Sequence, residues 1–244
     1  MTSVRVPRFT PGVNGFHFVN AFPHAPIRQL ELPGIATLTI GDAANGLCGG
    51  MSFSAADLHG AGMAPPPDTT PPAAGTAAFQ YIVNRQIASF GGASLPLRFY
   101  RLMDPARPER EPAWAPWINP FVAPFGVDRN SRTYVMVHDE WPVIRNDLDN
   151  GRLSMIGLVR VIDRDPRKLN KNHQVLAYGY DQEGSRVTLH IYDPNWPGED
   201  VTLGFDASDP SGTIRPTYST TDPPLVCFFH APYAAEQPSP WQGP

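Results

Sequence analysis

The sequence predicts an α+β fold, with helices in the first part of the chain and an antiparallel sheet in the second. Between residues 48 and 150 apolar residues recur at helical spacing, and from 153 onward the period drops to two. The chain also carries 29 prolines in 244 residues, about twice the usual ~5%, so long stretches must be loop and turn. A chain of this length buries well over half of its unfolded surface without a disulfide or metal staple. We therefore expect one domain over residues 1–235, with a helical lobe over about 40–150 and a sheet lobe over about 151–235 joined by N-terminal strands. Residues 236–244 read as a flexible tail.

Taken in order, GFHFVNAF (15–22) reads as a short strand and LELPGIATLTIG (30–41) as a broken one. Turn formers Asp42, Asn45 and Gly46 lead into Cys48, after which Met51, Ala55 and Leu58 fall on one helical stripe. Residues 64–76 carry five prolines and form an exposed connection. The next helix spans 76–91, with Phe79, Ile82, Val83, Ile87 and Phe90 inward, Thr76 as cap and Gly91 as stop. Residues 92–132 hold seven prolines with Trp114 and Trp117 among them, and read as a long irregular excursion. A helix follows over 140–150, capped by Asp139, with Pro142 in its first turn and Trp141, Ile144 and Leu148 buried. Six strands then follow at 153–163, 173–181, 186–193, 200–206, 212–219 and 225–231.

Charge and composition exclude several partners. A formal net charge of −4 gives no electrostatic reason to expect nucleic acid or an anionic membrane as a partner. No run of 18 apolar residues is present, and MTSVRVPRFTPGVNG lacks the apolar stretch of a secretory signal. A cytoplasmic location is the default expectation, with signal-less export left open. Two cysteines, Cys48 and Cys227, exclude a disulfide scaffold and a multi-cysteine zinc site. No P-loop, dinucleotide or serine-elbow motif and no metal-ligand spacing appears, so no cofactor and no metal are expected.

Cys48 is the sharpest chemical candidate. A thiol at a helix start feels the macrodipole and the unpaired first-turn N–H groups, which stabilise its thiolate. Gly46, Gly49 and Gly50 around it would let a substrate backbone approach. The plain alternative is a small buried residue, as most free cysteines are; Cys227, in the apolar strand LVCFFHA, is expected to be one. A nucleophilic cysteine needs a base, and His173 opens the strand HQVLAYGYD. Reading Gln182-Glu183-Gly184 as a three-residue hairpin loop pairs 181 with 185, which sets His173 opposite Asp193 on one face. A carboxylate there would orient the imidazole and stabilise the imidazolium. A one-residue slip would place the two on opposite faces. His138 is expected to be solvated and His190 half exposed, while His17, His24, His59 and His230 have no partner at ligand spacing.

Cys48 in GLCGG, His173 in NHQVLAYGYD, Asp193 in IYDPNWPG and the helix-turn EWPVIRNDLDNGRLSMIGL stand in an order and spacing that resemble papain-like cysteine peptidases. Within these the chain is most similar to the bacterial branch related to bacteriocin-processing, double-glycine leader peptidases, over about residues 40–204. The resemblance implies a two-lobed fold, with Cys48 on the helical lobe facing His173 and Asp193 on the sheet lobe. It implies hydrolysis of a peptide or protein substrate through a thioester, with no cofactor. Asn195 is the alternative third member. One departure stands out: those peptidases carry a glutamine several residues before the cysteine, whose amide completes the oxyanion hole, and the position six before Cys48 is Asp42. Asn45 is the substitute candidate. Losing an oxyanion donor costs about 10²–10³ in rate, so a catalytically weak papain-like binding or effector module is the rival reading. A transamidase or acyltransferase with the same triad is the rival enzyme.

Overall fold

The computed structural model describes residues 1–23, 26–32, 36–42, 46–110, 131–208, 216–220 and 224–241, with the backbone alone over 26–32 and 36–42. The fold is mixed helix and antiparallel sheet. Strand β1 (Thr2–Arg5) and the short helix α1 (Pro11–Asn14) precede a separate two-stranded sheet, β2 (Pro26–Leu32) and β3 (Ala36–Asp42). Helices α2 (Cys48–Gly60), α3 (Ala77–Ser89) and α4 (Ser94–Met103) follow. A helical run then passes from α5 (Arg132–Tyr134) through a wide π turn (Val135–Glu140) into α6 (Trp141–Asp149). The main sheet comprises β4 (Ser154–Val159), β5 (His173–Glu183), β6 (Arg186–Tyr192), β7 (Val201–Asp206), β8 (Thr217–Tyr218) and β9 (Cys227–Ala231), in the order β8-β7-β6-β5-β4-β9 with β1 on β5.

Helix α2 is the centre of the molecule. Every residue from Gly49 to Leu58 is buried, which is why its sequence, CGGMSFSAADLHG, shows no polar face. Phe53, Ala55 and Ala56 pack into a core shared with α4, α6 and the sheet. Met51 and Leu58 join a second cluster with Phe16, Phe18, Phe22, Phe79, Ile82 and Val83. Cys48 emerges from this packing at the start of α2, as His59 and Gly60 do at its end.

Several elements differ from their sequence reading. Segment 15–22 is not a strand. Phe16, Phe18 and Phe22 do point inward, but the segment is held by single bonds, such as Asn20 N–H to Pro194 O at 3.0 Å, in place of a strand ladder. The broken strand at 30–41 is the hairpin β2–β3, its break falling at 33–35 outside the described residues. Within the 92–132 excursion lies α4; Pro96 sits in its first turn, where no N–H is needed, and Leu95, Phe99, Leu102 and Met103 are buried. Residues 111–130, with Trp114 and Trp117, lie outside the described residues. Asp139 is not a helix cap. The run starts earlier, where Ser131 Oγ accepts the Tyr134 N–H at 3.0 Å, and the Trp141 N–H reaches back five residues to Met136 O. Of the strand at 212–219, β8 holds only Thr217–Tyr218, and 209–215 lie outside the described residues.

Nor do residues 236–241 hang free. The fully buried Asp57 carboxylate pairs with Arg85 Nε at 2.7 Å and accepts the Tyr233 hydroxyl at 2.6 Å and the Glu236 N–H at 2.9 Å. Trp241 then packs on Phe16 and Tyr81.

The β5–β6 hairpin corrects the register argument. Its last pair is Glu183↔Arg186, so the loop is the two residues Gly184-Ser185, and paired numbers sum to 369 rather than 366. That odd shift alone would turn His173 and Asp193 to opposite faces. An irregularity between Ala177 and Gly179 removes one residue, and beyond it Leu176 pairs with Tyr192, a sum of 368. The bulge falls where the neighbour of β5 changes from β4, last paired at Ala177, to β1, first paired at Gly179. His173 and Asp193 are thus diagonal neighbours on one face, within side-chain reach. Gly184 takes φ +58 and Ser185 a negative φ, the pattern of a type II′ turn. Nothing lies within 4 Å of a Cβ built at Gly184, so Gly184→Val is expected to lose about 1–2 kcal/mol through backbone strain alone. Urea unfolding checks this; an unchanged midpoint would reject the left-handed turn.

Candidate functional site

Three segments converge where α2 meets the start of β5. Cys48 is the first residue of α2, half-buried, with Leu47 as N-cap and no side-chain cap on the helix. The first-turn amides of Cys48 and Gly49 have no intrahelical acceptor, whereas the Gly50 N–H is taken by Gln86 Oε1 at 2.8 Å. The β5 residue Gln174 donates its backbone N–H to the Cys48 sulfur. His173, 4% exposed, is hydrogen-bonded to the same sulfur, and its Nε2 donates to Asp193 Oδ1 at 2.6 Å. With Nε2 committed to the carboxylate, Nδ1 is the ring nitrogen left for Cys48.

Asp193 has no exposed surface, and its carboxylate is saturated with donors. Oδ1 also accepts the Asn195 N–H at 2.8 Å. Oδ2 accepts the Tyr218 hydroxyl at 2.6 Å, and Arg160 Nη2 stands 3.9 Å away. Burial would push the Asp193 pKa up, but the His173 imidazolium and these donors hold it below the usual carboxylate range. Burial would likewise lower His173; Asp193 and the Cys48 thiolate outweigh it and raise its pKa to about 9. Burial opposes the Cys48 thiolate, yet the charge and hydrogen bond of His173, with the Gln174 N–H, bring the thiol below its ordinary value. Cys227 gives the contrast. It is 1% exposed in β9, and burial pushes its thiol up to about 12.

The structure therefore brings Cys48, His173 and Asp193 together. Asn195 does not reach His173; it donates its main-chain N–H to Asp193. Asn45 lies outside the described residues, as does the side chain of Asp42, whose backbone pairs with Pro26. Gly49 and Gly50 are buried and face packing partners instead of an open cleft. A Cβ at Gly49 would meet Gln174 Nε2 at 2.5 Å, and one at Gly50 would strike the Ile82 carbonyl.

The remaining histidines stand apart from this cluster. His138 is exposed and bonds Asp139. His190 is bracketed by Asp181 at 2.9 Å and Asp200 at 3.0 Å, and His230 meets Asp147, remote in sequence, at 3.2 Å. Among the described residues no three His, Cys, Asp or Glu side chains are grouped to hold a metal ion, and no helix is long and apolar enough to cross a membrane.

Sequence reasoning missed Tyr218, Arg160 and Asn20. Tyr218 falls in the strand expected at 212–219, but its contact with Asp193, 25 residues earlier in the chain, has no local sequence signal. Compared with known proteins, the chain matches no family model, no curated protein and no solved structure.

Proposed function

We propose that this protein is a cysteine hydrolase of peptides or amides, working through Cys48, His173 and Asp193 on a papain-like scaffold and needing no cofactor. The observation that carries the reading is the buried relay from Asp193 through His173 to the thiol of a half-buried cysteine at a helix start. Such an ion pair serves nucleophilic acyl transfer. The Cys48 thiolate attacks the substrate carbonyl carbon, and the developing oxyanion lies against the Cys48 main-chain N–H at the start of α2. Imidazolium His173 gives its Nδ1 proton to the leaving amine, the C–N bond breaks, and a thioester remains. Water then attacks the thioester while His173 Nδ1 takes its proton; the acid leaves and the thiolate–imidazolium pair is restored. Throughout, Asp193 holds Nε2 and stabilises the ring's positive charge.

Alkylation tests the reading. At about pH 6 a thiol with an ordinary pKa is almost wholly protonated, so iodoacetamide is expected to label Cys48 at least about tenfold faster than Cys227, as read by peptide mass spectrometry. Turnover is expected to rise with pH through the lowered Cys48 pKa and fall as His173 loses its proton at about 9, a bell-shaped profile. Equal labelling of the two cysteines would overturn the assignment.

A further inference from the structure

Asn20, from the segment between α1 and β2, reaches both sides of the site. Its Oδ1 accepts the Leu47 N–H at 2.6 Å, immediately before the nucleophile. Its Nδ2 donates to Asn195 Oδ1 at 3.2 Å, and its backbone N–H donates to Pro194 O at 3.0 Å, on the loop that follows Asp193. The fit to the cysteine turn is close: Gly46 takes φ +87, and a Cβ there would lie 2.6 Å from Asn20 Nδ2. Leu47 is 1% exposed, so without Asn20 its N–H has no water to turn to.

These bonds close a ring. From Cys48 it runs to His173, to Asp193, to the Asn195 main chain, across the Asn195 side chain to Asn20, and back through Leu47 to Cys48. The thiol rides on α2 and the imidazole on β5, two elements joined here by packing and hydrogen bonds. A small drift between them weakens the proton exchange steeply, because it depends on heavy-atom distance. The ring also explains the gap in sequence. Asn20 and Gly46 are in contact, so the chain leaves the site after Asn20, forms the hairpin β2–β3, and returns at the same point.

We propose that Asn20 is a positioning residue that ties the turn before Cys48 to the loop after Asp193 and thereby fixes the thiol against His173. The proposal rests on the thiol chemistry above and deepens it. Asn20→Ala removes both side-chain ties and keeps the main-chain bond to Pro194. Asn195→Ala removes only the far one, keeping the Leu47 bond and its own main-chain N–H to Asp193, and so tests the tie even where Asn20→Ala does not fold.

Iodoacetamide labelling of Cys48 is followed from acid to alkaline pH in the full chain and both variants, beside thermal unfolding. Both variants are expected to move the labelling midpoint up by about one pH unit, an approximately tenfold slower reaction at about pH 6. The double variant is expected to move it no further than Asn20→Ala alone. Variants that lose thermal stability but keep the parent's pH profile would reduce Asn20 to a structural role and overturn the proposal alone. A parent whose Cys48 labels no faster than Cys227 overturns the thiol chemistry itself.

Discussion

Asp193→Asn is expected to lower turnover of a peptidyl amide by about 10²–10⁴-fold. The substitution keeps the shape and keeps one oxygen, which can still accept the His173 Nε2–H. It removes the charge. Asp193 is wholly buried, so its attraction for the imidazolium is little screened, and that attraction outweighs the burial that would otherwise lower His173. Without it the neutral imidazole–thiol pair gains over the ion pair, so the Cys48 labelling midpoint moves up and the alkaline limb moves down from about 9. The new amide must also meet groups that expect an acceptor. The Tyr218 hydroxyl, now donating to Oδ2 at 2.6 Å, can turn and accept instead; the Arg160 guanidinium, 3.9 Å away, cannot. Some stability is therefore lost as well, about 1–3 kcal/mol. Kinetics separate the effects: a variant that is less stable but turns over within a few fold of the parent, with the same pH limbs, would remove Asp193 from the relay.

Much of the sheet was legible because its signals are local. Strands β4 to β7 and β9 announce themselves by alternation, and α3 by its stripe and the Thr76 cap, which accepts the Phe79 N–H at 3.2 Å. What failed needed knowledge of partners. The Phe16, Phe18 and Phe22 alternation is a strand pattern, yet no neighbour offers the segment a ladder, and the aromatics fill a gap beside α2 and α3 instead. In α4 the density of prolines around it hid a good apolar spacing.

The site shows the same division. Cys48 and His173 were readable from their positions at element starts. The pairing of His173 with Asp193 was reached through a turn one residue too long, and a bulge that no local pattern signals restores the shared face. Tyr218 and Asn20 come from segments remote in sequence, so only the folded chain shows them against Asp193 and Leu47.

Gly50→Ala is expected to be the most damaging of these changes for stability. Helix propensity favours it, since alanine gains about 1 kcal/mol over glycine inside a helix. Packing decides against it. A Cβ at Gly50 would strike the main-chain carbonyl of Ile82 and lie 3.1 Å from Gln86 Cβ, so α2 and α3 would have to move apart. Overpacking a closed core costs about 1–3 kcal/mol, and more when the obstacle cannot rotate away. A main-chain carbonyl inside α3 cannot, so a net loss of about 2–3 kcal/mol is expected in denaturant unfolding. Moving α2 also displaces Cys48, two residues away, so labelling of the folded fraction should slow in parallel. Gly49→Ala provides the control, because its obstacles are the side chains of Ser89 and Gln174, which can shift. It should lose less stability while still slowing labelling, since Gln174 also donates its N–H to the Cys48 sulfur. Parental stability in Gly50→Ala would mean that α2 and α3 do not approach this closely, and that the glycine pair is free to face substrate after all.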